Sequence, residues 1–402
     1  MKKIFQKIFN KKNALWFIFI FIFIIISLEI FGRIYLSMLQ KSVDPKFRFD
    51  SYRIYSHIPD FKEGDDKKDW IVINSQGFRR STNVSKEKPK NTFRVFLMGG
   101  SAAHGTSSAS PYPIRHLYND ETVDAYIEKM MSEKYPNYNI EIINAAVTGY
   151  QVFQHTAYIL SELLDYNPDL IIFLDGANDH YTNNPEFNYY ADNRYQFWKK
   201  RMQSPSISGM TDYSSLYLSK YSAFAKGYTS WRMQHDAVKN NDVIDMNKPN
   251  VNEEDSSTLI KEHKKAAQKQ FLRNIDVNLL ILNNYNIGSI LCLQPLLCQR
   301  KKSNCSAEEQ NFYDDAKFKN ILYPVIISEL DSVTKKNHVP FIDLVPRFND
   351  ESLKGKQLFI DYAHYTSDGS FNIAKKIFPE VDKFFQKKML APQDTLIKYT
   401  AE

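Results

Sequence analysis

Cysteine is scarce, with three in 402 residues: Cys292, Cys298 and Cys305. No C-x-x-C pair and no H-E-x-x-H run occurs, so the usual sequence basis for a metal site is missing, and no cofactor is expected. Cys292 lies in an apolar run and reads as a packed core thiol. Cys298 and Cys305 bracket the polar loop CQRKKSNC, and in an oxidising compartment they can pair if their Cα atoms come within reach, a point the sequence leaves open. A large excess of one charge is also missing from most of the chain. The formal net charge is +6, but Lys2, Lys3, Lys7, Lys11 and Lys12 supply five of those charges and no acid occurs among residues 1–13. The near-neutral remainder lacks the clustered basic stripe that phosphate-backbone binding requires, which argues against nucleic acid as a partner. With 43% apolar and 24% charged residues the composition is globular, and the length allows one large α/β domain or two ordinary ones.

The basic tail runs into ALWFIFIFIFIIISLEIF, Ala14 to Phe31, where Ser27 and Glu29 are the only polar residues. Eighteen helical residues rise about 27 Å, close to the thickness of a hydrocarbon core, and the helix can continue through GRIYLSML. Lysines on the amino side predict a cytoplasmic N-terminus and an outward-facing remainder. A cleaved signal peptide is the competing reading. The apolar run exceeds an ordinary signal core and no A-x-A site follows it, so an uncleaved anchor over residues 14–37 is expected.

Residues 38–90 are polar and rich in Lys and Asp, and read as a juxtamembrane segment and linker with INSQGFRR, Ile73 to Arg80, as their one compact stretch. Short β-rich runs follow: FRVFLMG (93–99), YNIEIINAA (138–146), DLIIFLDG (169–176), IGSILCLQP (287–295) and VPFIDLVP (339–346). Between the first two, apolar residues at 123, 126, 127, 130 and 131 fit an amphipathic helix, and YQVFQHTAYILSELLDY between the second and third does the same. Nearly continuous apolar strands alternating with such helices predict a parallel sheet covered on both faces, with ligands beyond the carboxyl ends of its strands. Residues 180–257 break the rhythm. They are rich in Tyr, Asn, Asp, Ser and Trp, and read as an insertion, either a lid or substrate surface over that same edge or a passive loop. The main domain is expected over 91–390, with a tail at 391–402.

Four stretches at these strand ends carry reactive or charge-stabilising groups. MGGSAAHG offers Ser101 on a sharp strand-to-helix turn; NAAVTGYQ offers the unobstructed N–H of Gly149; LDGANDH offers the Asn178 side chain; FIDYAHYTSDG offers Asp361 and His364, three residues apart. A serine hydroxyl is a poor nucleophile at neutral pH and needs a base, which in turn needs an orienting acid. Ser101, His364 and Asp361 can fill those roles. The Ser101 and Gly149 N–H groups and the Asn178 side chain are suitable oxyanion donors. His104 and His180 lie in the same blocks and are expected beside the pocket or in solvent rather than as the base. Tyr189, Tyr190, Tyr195, Trp198 and Trp231 can stack on sugar rings, line an acyl groove or simply pack.

In order and content these blocks resemble those of the SGNH, or GDSL-type, hydrolases: GGSA at the serine, Gly149, G-x-N-D at Gly176 to Asp179, and D-x-x-H at Asp361 to His364. INSQGFRR and LQP are similar to features of membrane-anchored bacterial members, and the resemblance spans roughly residues 70–385. It departs around the serine, where Gly100 replaces the usual acid and Ala102 the usual leucine, which leaves the triad and the donors intact. The resemblance implies a flavodoxin-like three-layer α/β/α sandwich, here with about five parallel strands and one N-terminal transmembrane helix. It implies serine-ester chemistry, with O-acylated polysaccharide or another carbohydrate ester as a natural substrate. Transfer of the acyl group to a sugar hydroxyl, a lipid or thioester substrate, and an inactive glycan-binding scaffold are the alternatives.

Overall fold

The computed structural model describes residues 11–38, 46–64, 69–107, 117–179, 271–315 and 323–390, together with 214, 218, 221–225, 227–229 and 231. The chain divides into two compact units, one of residues 1–49 and 192–244, the other of residues 50–191 and 245–402.

The first unit contains helix α1, Lys11–Met38. Its segment Leu15–Tyr35 has a mean hydropathy of 2.6 over 21 residues, long and apolar enough to cross a membrane. Its side chains are almost all exposed, unlike those of a core helix.

The second unit begins with short β pieces. Strands β1 (Lys62–Gly64) and β2 (Asp69–Val72) form an antiparallel hairpin. The central sheet has five strands: β3 (Thr92–Gly99), β4 (Asn139–Asn144), β5 (Leu170–Asp175), β6 (Gly288–Leu293) and β7 (Phe341–Asp343). Their spatial order is β4-β3-β5-β6-β7 and every pairing is parallel. Four lie within the runs read as strands, and β3 begins one residue before its run. The order reverses at β3, whose two neighbours are β4 and β5, and a crevice opens at such a switch point beyond the carboxyl ends of the strands.

Among the described residues the helices of this unit that bear on the sheet and the site are α2 (Ser101–His104), α3 (Val123–Lys134), α4 (Val152–Ser161), α5 (Arg273–Asn284), α6 (Tyr323–Lys336) and α7 (Ser367–Phe385), with further single turns at Ala307–Gln310 and Val345–Phe348. Helix α3 packs against α7, and α4 against α5. In α7 the residues Ile373, Ala374, Ile377, Val381 and Phe385 are buried at helical spacing, while Lys375 and Lys376 are exposed. Phe385 closes this layer, with its ring 5.3 Å from that of Phe93 on β3, 4.0 Å from Tyr135 and 5.1 Å from Tyr138.

Two features differ from the sequence reading, and a third settles the cysteine pairing that it left open. Within the stretch read as juxtamembrane segment and linker, Phe78 is fully buried against Phe96, with ring centroids 5.5 Å apart, and Arg79 bridges to Asn144 of β4. Apolar periodicity over so few residues is too short to announce that packing. Arg94 is fully buried within an apolar strand, where it faces Glu141 across the β3–β4 register at 2.6 Å. The three cysteines are buried thiols with no disulfide among them, and Cys305 Sγ instead donates to the Lys301 carbonyl at 3.5 Å. Most of the predicted insertion (180–213 and 232–257) and the tail at 391–402 lie outside the described residues.

Phe385→Ala is expected to cost about 3–5 kcal/mol, as for other fully buried aromatics, whereas Tyr52→Ala, on a side chain that is largely exposed, should fall within about 0.5 kcal/mol of the parent. Urea denaturation of both variants followed by circular dichroism checks the contrast.

Candidate active site

Strand β3 delivers its chain to the switch point and ends at Gly99, and Gly100 then caps the single turn α2 that begins with Ser101. A Cβ on Gly100 would collide with the Asn178 amide nitrogen. The glycine therefore answers a local crowding: Asn178 occupies the space a side chain at position 100 would need, so its amide lies against the residue that precedes the serine. The turn is held from outside as well. Asn144 Nδ2 donates to the Ala103 carbonyl at 3.0 Å, and the Arg79 guanidinium donates to the His104 and Leu117 carbonyls. Burial pushes Arg79 down to about 10, against the pull of Asp124, Glu121 and Glu63, so it stays charged at neutral pH.

Ser101 and His364 meet although 263 positions apart, with 2.6 Å between Oγ and Nε2. On its other side His364 Nδ1 lies 2.9 and 2.8 Å from the two Asp361 oxygens. Asp361 is fully buried, and its Oδ1 also accepts from the N–H groups of Ala363 and His364 at 2.8 and 2.9 Å. An ionised carboxylate only accepts, so Nδ1 carries the hydrogen and Nε2 is left to accept from the hydroxyl.

The loop that presents this pair is supported by residues the sequence reading passed over. Glu309 Oε1 accepts from the Leu358 and Phe359 N–H groups at 2.8 and 3.0 Å. Its other oxygen pairs with Arg300 at 2.5 Å, and Arg300 also donates to the Phe348 and Leu353 carbonyls at 3.2 and 2.6 Å. Both side chains are fully buried, where an ion pair holds only if its remaining hydrogen-bonding sites are filled. The signal available in the sequence was the S-x-x-E capping box of Ser306 and Glu309. From the LQP stretch, Gln294 Nε2 donates to the Ala363 carbonyl at 3.1 Å.

Gly149 has φ +82 and sits third in a turn closed by Tyr150 N–H to the Val147 carbonyl at 3.0 Å. A positive φ at that place belongs to a type II turn, which favours glycine. Tyr55 Oη donates to the Thr148 carbonyl at 3.1 Å and pins the turn. Asn178 Nδ2 donates to the Tyr150 carbonyl at 2.9 Å, which uses one of its two N–H bonds. The Asn178 carbonyl accepts from Gln151 Nε2 at 3.1 Å. Ser101, Gly149, Asn178, Asp361 and His364 thus gather at one end of the sheet. His104 is buried with its ring 4.7 Å from that of His57. His180 and the aromatic residues Tyr189, Tyr190, Tyr195 and Trp198 lie outside the described residues, and Trp231 falls in the other unit.

Such an arrangement can carry out nucleophilic acyl transfer: a hydroxyl with a base at hydrogen-bonding distance, a base oriented by a carboxylate, and N–H donors nearby.

No protein-family model and no curated protein matches the chain. Among solved structures, a mutant of the acetyl-xylooligosaccharide esterase Axe2 from Geobacillus stearothermophilus aligns at 15% identity, over 72% of this chain and 94% of that one, with a TM-score of 0.40. Another variant of the same esterase aligns at 14% identity over 74% and 97%, also with a TM-score of 0.40. A putative acylhydrolase from Bacteroides fragilis aligns at 13% identity over 72% and 86%, with a TM-score of 0.35. At these values the chemistry has to be argued from the site itself.

Close by, Asp179 Oδ1 accepts from the Val152 N–H at 3.1 Å at the start of α4, while its Oδ2 is enclosed. Burial holds this carboxyl well above the ordinary 3.8, and Asp175 adds to the rise. A carboxyl raised on folding contributes stability that is present below its ordinary value and lost as the pH climbs through the folded one. The melting temperature of the parent should therefore fall more steeply above pH 3.8 than that of Asp179→Asn, which cannot ionise; melting curves of both proteins from acid to neutral pH check this.

Proposed function

We propose that the chain is a membrane-anchored serine esterase of SGNH type that faces outward and acts on O-acylated carbohydrate. One observation carries the reading, the 2.6 Å approach of Ser101 Oγ and His364 Nε2 with Asp361 behind the imidazole. The blocks quoted from the sequence support it, as do the basic tail and apolar α1, which suit a cytoplasmic N-terminus and an uncleaved anchor.

In this mechanism Ser101 Oγ attacks the acyl carbonyl carbon while His364 Nε2 takes the hydroxyl proton. The carbonyl oxygen becomes an oxyanion facing the N–H groups of Ser101 and Gly149 and the amide of Asn178. His364 then gives its proton to the departing alcohol, which leaves an acyl-enzyme on Ser101. A water molecule repeats the sequence, passing its proton to His364, and releases the acid and the serine. If a sugar hydroxyl takes the place of that water, the same acyl-enzyme supports transfer. Which acceptor wins depends on how well the pocket excludes water.

Ser101→Ala in the full-length protein in detergent should abolish hydrolysis of p-nitrophenyl acetate and of acetylated oligosaccharide, together with fluorophosphonate labelling. Retained hydrolysis rejects the nucleophile. Asn178→Ala should lower kcat by about 10²- to 10³-fold, the usual cost of one oxyanion donor, with a much smaller change in KM. Free acetate against acetylated acceptor sugar, quantified in the same reaction, separates hydrolysis from transfer.

A further inference from the structure

The acid in the apolar helix is the least expected residue of α1. An ionisable group within a membrane span is costly and needs a partner. Glu29 has several, and all but one come from the far side of the chain. Its Oε2 accepts from Ser222 Oγ at 2.8 Å and the Phe224 N–H at 3.3 Å, and its Oε1 accepts from the Ala223 N–H at 3.0 Å. Arg33 lies one turn along the same helix, 3.2 Å from Oε1. The carboxylate thus satisfies the first N–H groups of a second helical stretch, since residues 223–225, 227–229 and 231 are helical. One turn beyond Glu29, Gly32 is buried, and a Cβ there would run into the backbone of Ala223 and Phe224. Close helix approach over a small residue is how membrane segments pack.

The outer side of this second stretch is apolar and aromatic. Tyr221, Phe224 and Trp231 are exposed, while Ala225 and Thr229 are buried. Glu29 lies six residues before Tyr35, the end of the apolar segment, which at helical rise is a depth of about 9 Å. Amphipathic interfacial helices sit about 5–10 Å into the boundary between headgroups and acyl chains, and Tyr and Trp concentrate there.

We propose that residues 221–225, 227–229 and 231 belong to a second membrane-seated element, docked on α1 through Glu29 and Gly32, with Tyr221, Phe224 and Trp231 against the lipid of the bilayer that α1 crosses. The occupant of this apolar surface is lipid because residues 222–224 dock on α1 at Glu29 and Gly32, within the apolar segment whose own side chains are exposed. The proposal rests on the membrane-anchor reading and is independent of the esterase chemistry.

The test uses the full chain in phosphatidylcholine vesicles. One protein keeps Trp231 as its only tryptophan (Trp16→Phe, Trp70→Phe, Trp198→Phe), and a second keeps only Trp16, in α1. Lipids brominated near the headgroup end of their chains should quench Trp231 emission more than lipids brominated at mid-chain. Glu29→Ala and Gly32→Leu should each abolish that quenching, the first by removing the acceptor and the second by steric exclusion, with circular dichroism melts confirming that both variants fold. Quenching of Trp16 without quenching of Trp231 overturns the proposal and leaves the anchor standing. Failure to quench either tryptophan overturns the anchor and the proposal with it. Trp231 quenching that survives both substitutions overturns the docking on α1.

Discussion

A serine hydroxyl and an imidazole can hold a 2.6 Å contact only if both are fixed before any substrate arrives. Here that constraint falls on two backbone segments with little in common. One is a single helical turn at the end of β3, the other a loop between β7 and α7. Several buried side chains hold these two segments in place. Arg79 and Asn144 hold carbonyls of the first, while the buried Arg300–Glu309 pair and Gln294 hold backbone groups of the second. In the proposed mechanism a small displacement at this contact would weaken proton transfer, which gives the buried arginine and glutamate beneath the loop a geometric role.

A related crowding is found at position 100. Asn178 reaches across from the end of β5, and its amide nitrogen fills the place where a side chain at position 100 would begin. A glycine there lets the amide and the turn that begins at Ser101 share one small volume. Asn178 is steadied in turn by Tyr150 and Gln151, from the segment that leads into α4. The proposed oxyanion donors therefore belong to one connected hydrogen-bonded corner built from the ends of β3, β4 and β5.

Much of this was legible in the chain. The five strands were readable because apolar runs of β-branched and aromatic residues between amphipathic helices leave few alternatives to a covered parallel sheet, and Ser101, Asn178, Asp361 and His364 stood out because each sits at a strand end or just past the last strand. Arg79, Arg94, Arg300 and Glu309 were not legible. Charged residues in a sequence read as surface, and their burial depends on partners as distant as Glu141 from Arg94 or Leu358 from Glu309. Cys298 and Cys305 are similar: their spacing left a bridge open, and in the folded chain both are buried free thiols.

Local pattern determined the sheet, its helices, the long apolar helix and the candidate residues, because periodicity, turn chemistry and strand-end position are short-range properties. Tertiary structure alone decided which nitrogen of His364 faces Ser101, that the Asn178 amide lies against position 100, and where Glu29 finds its partners. Those are contacts between segments up to 263 residues apart, and side-chain geometry at that separation is set only once the whole chain has packed.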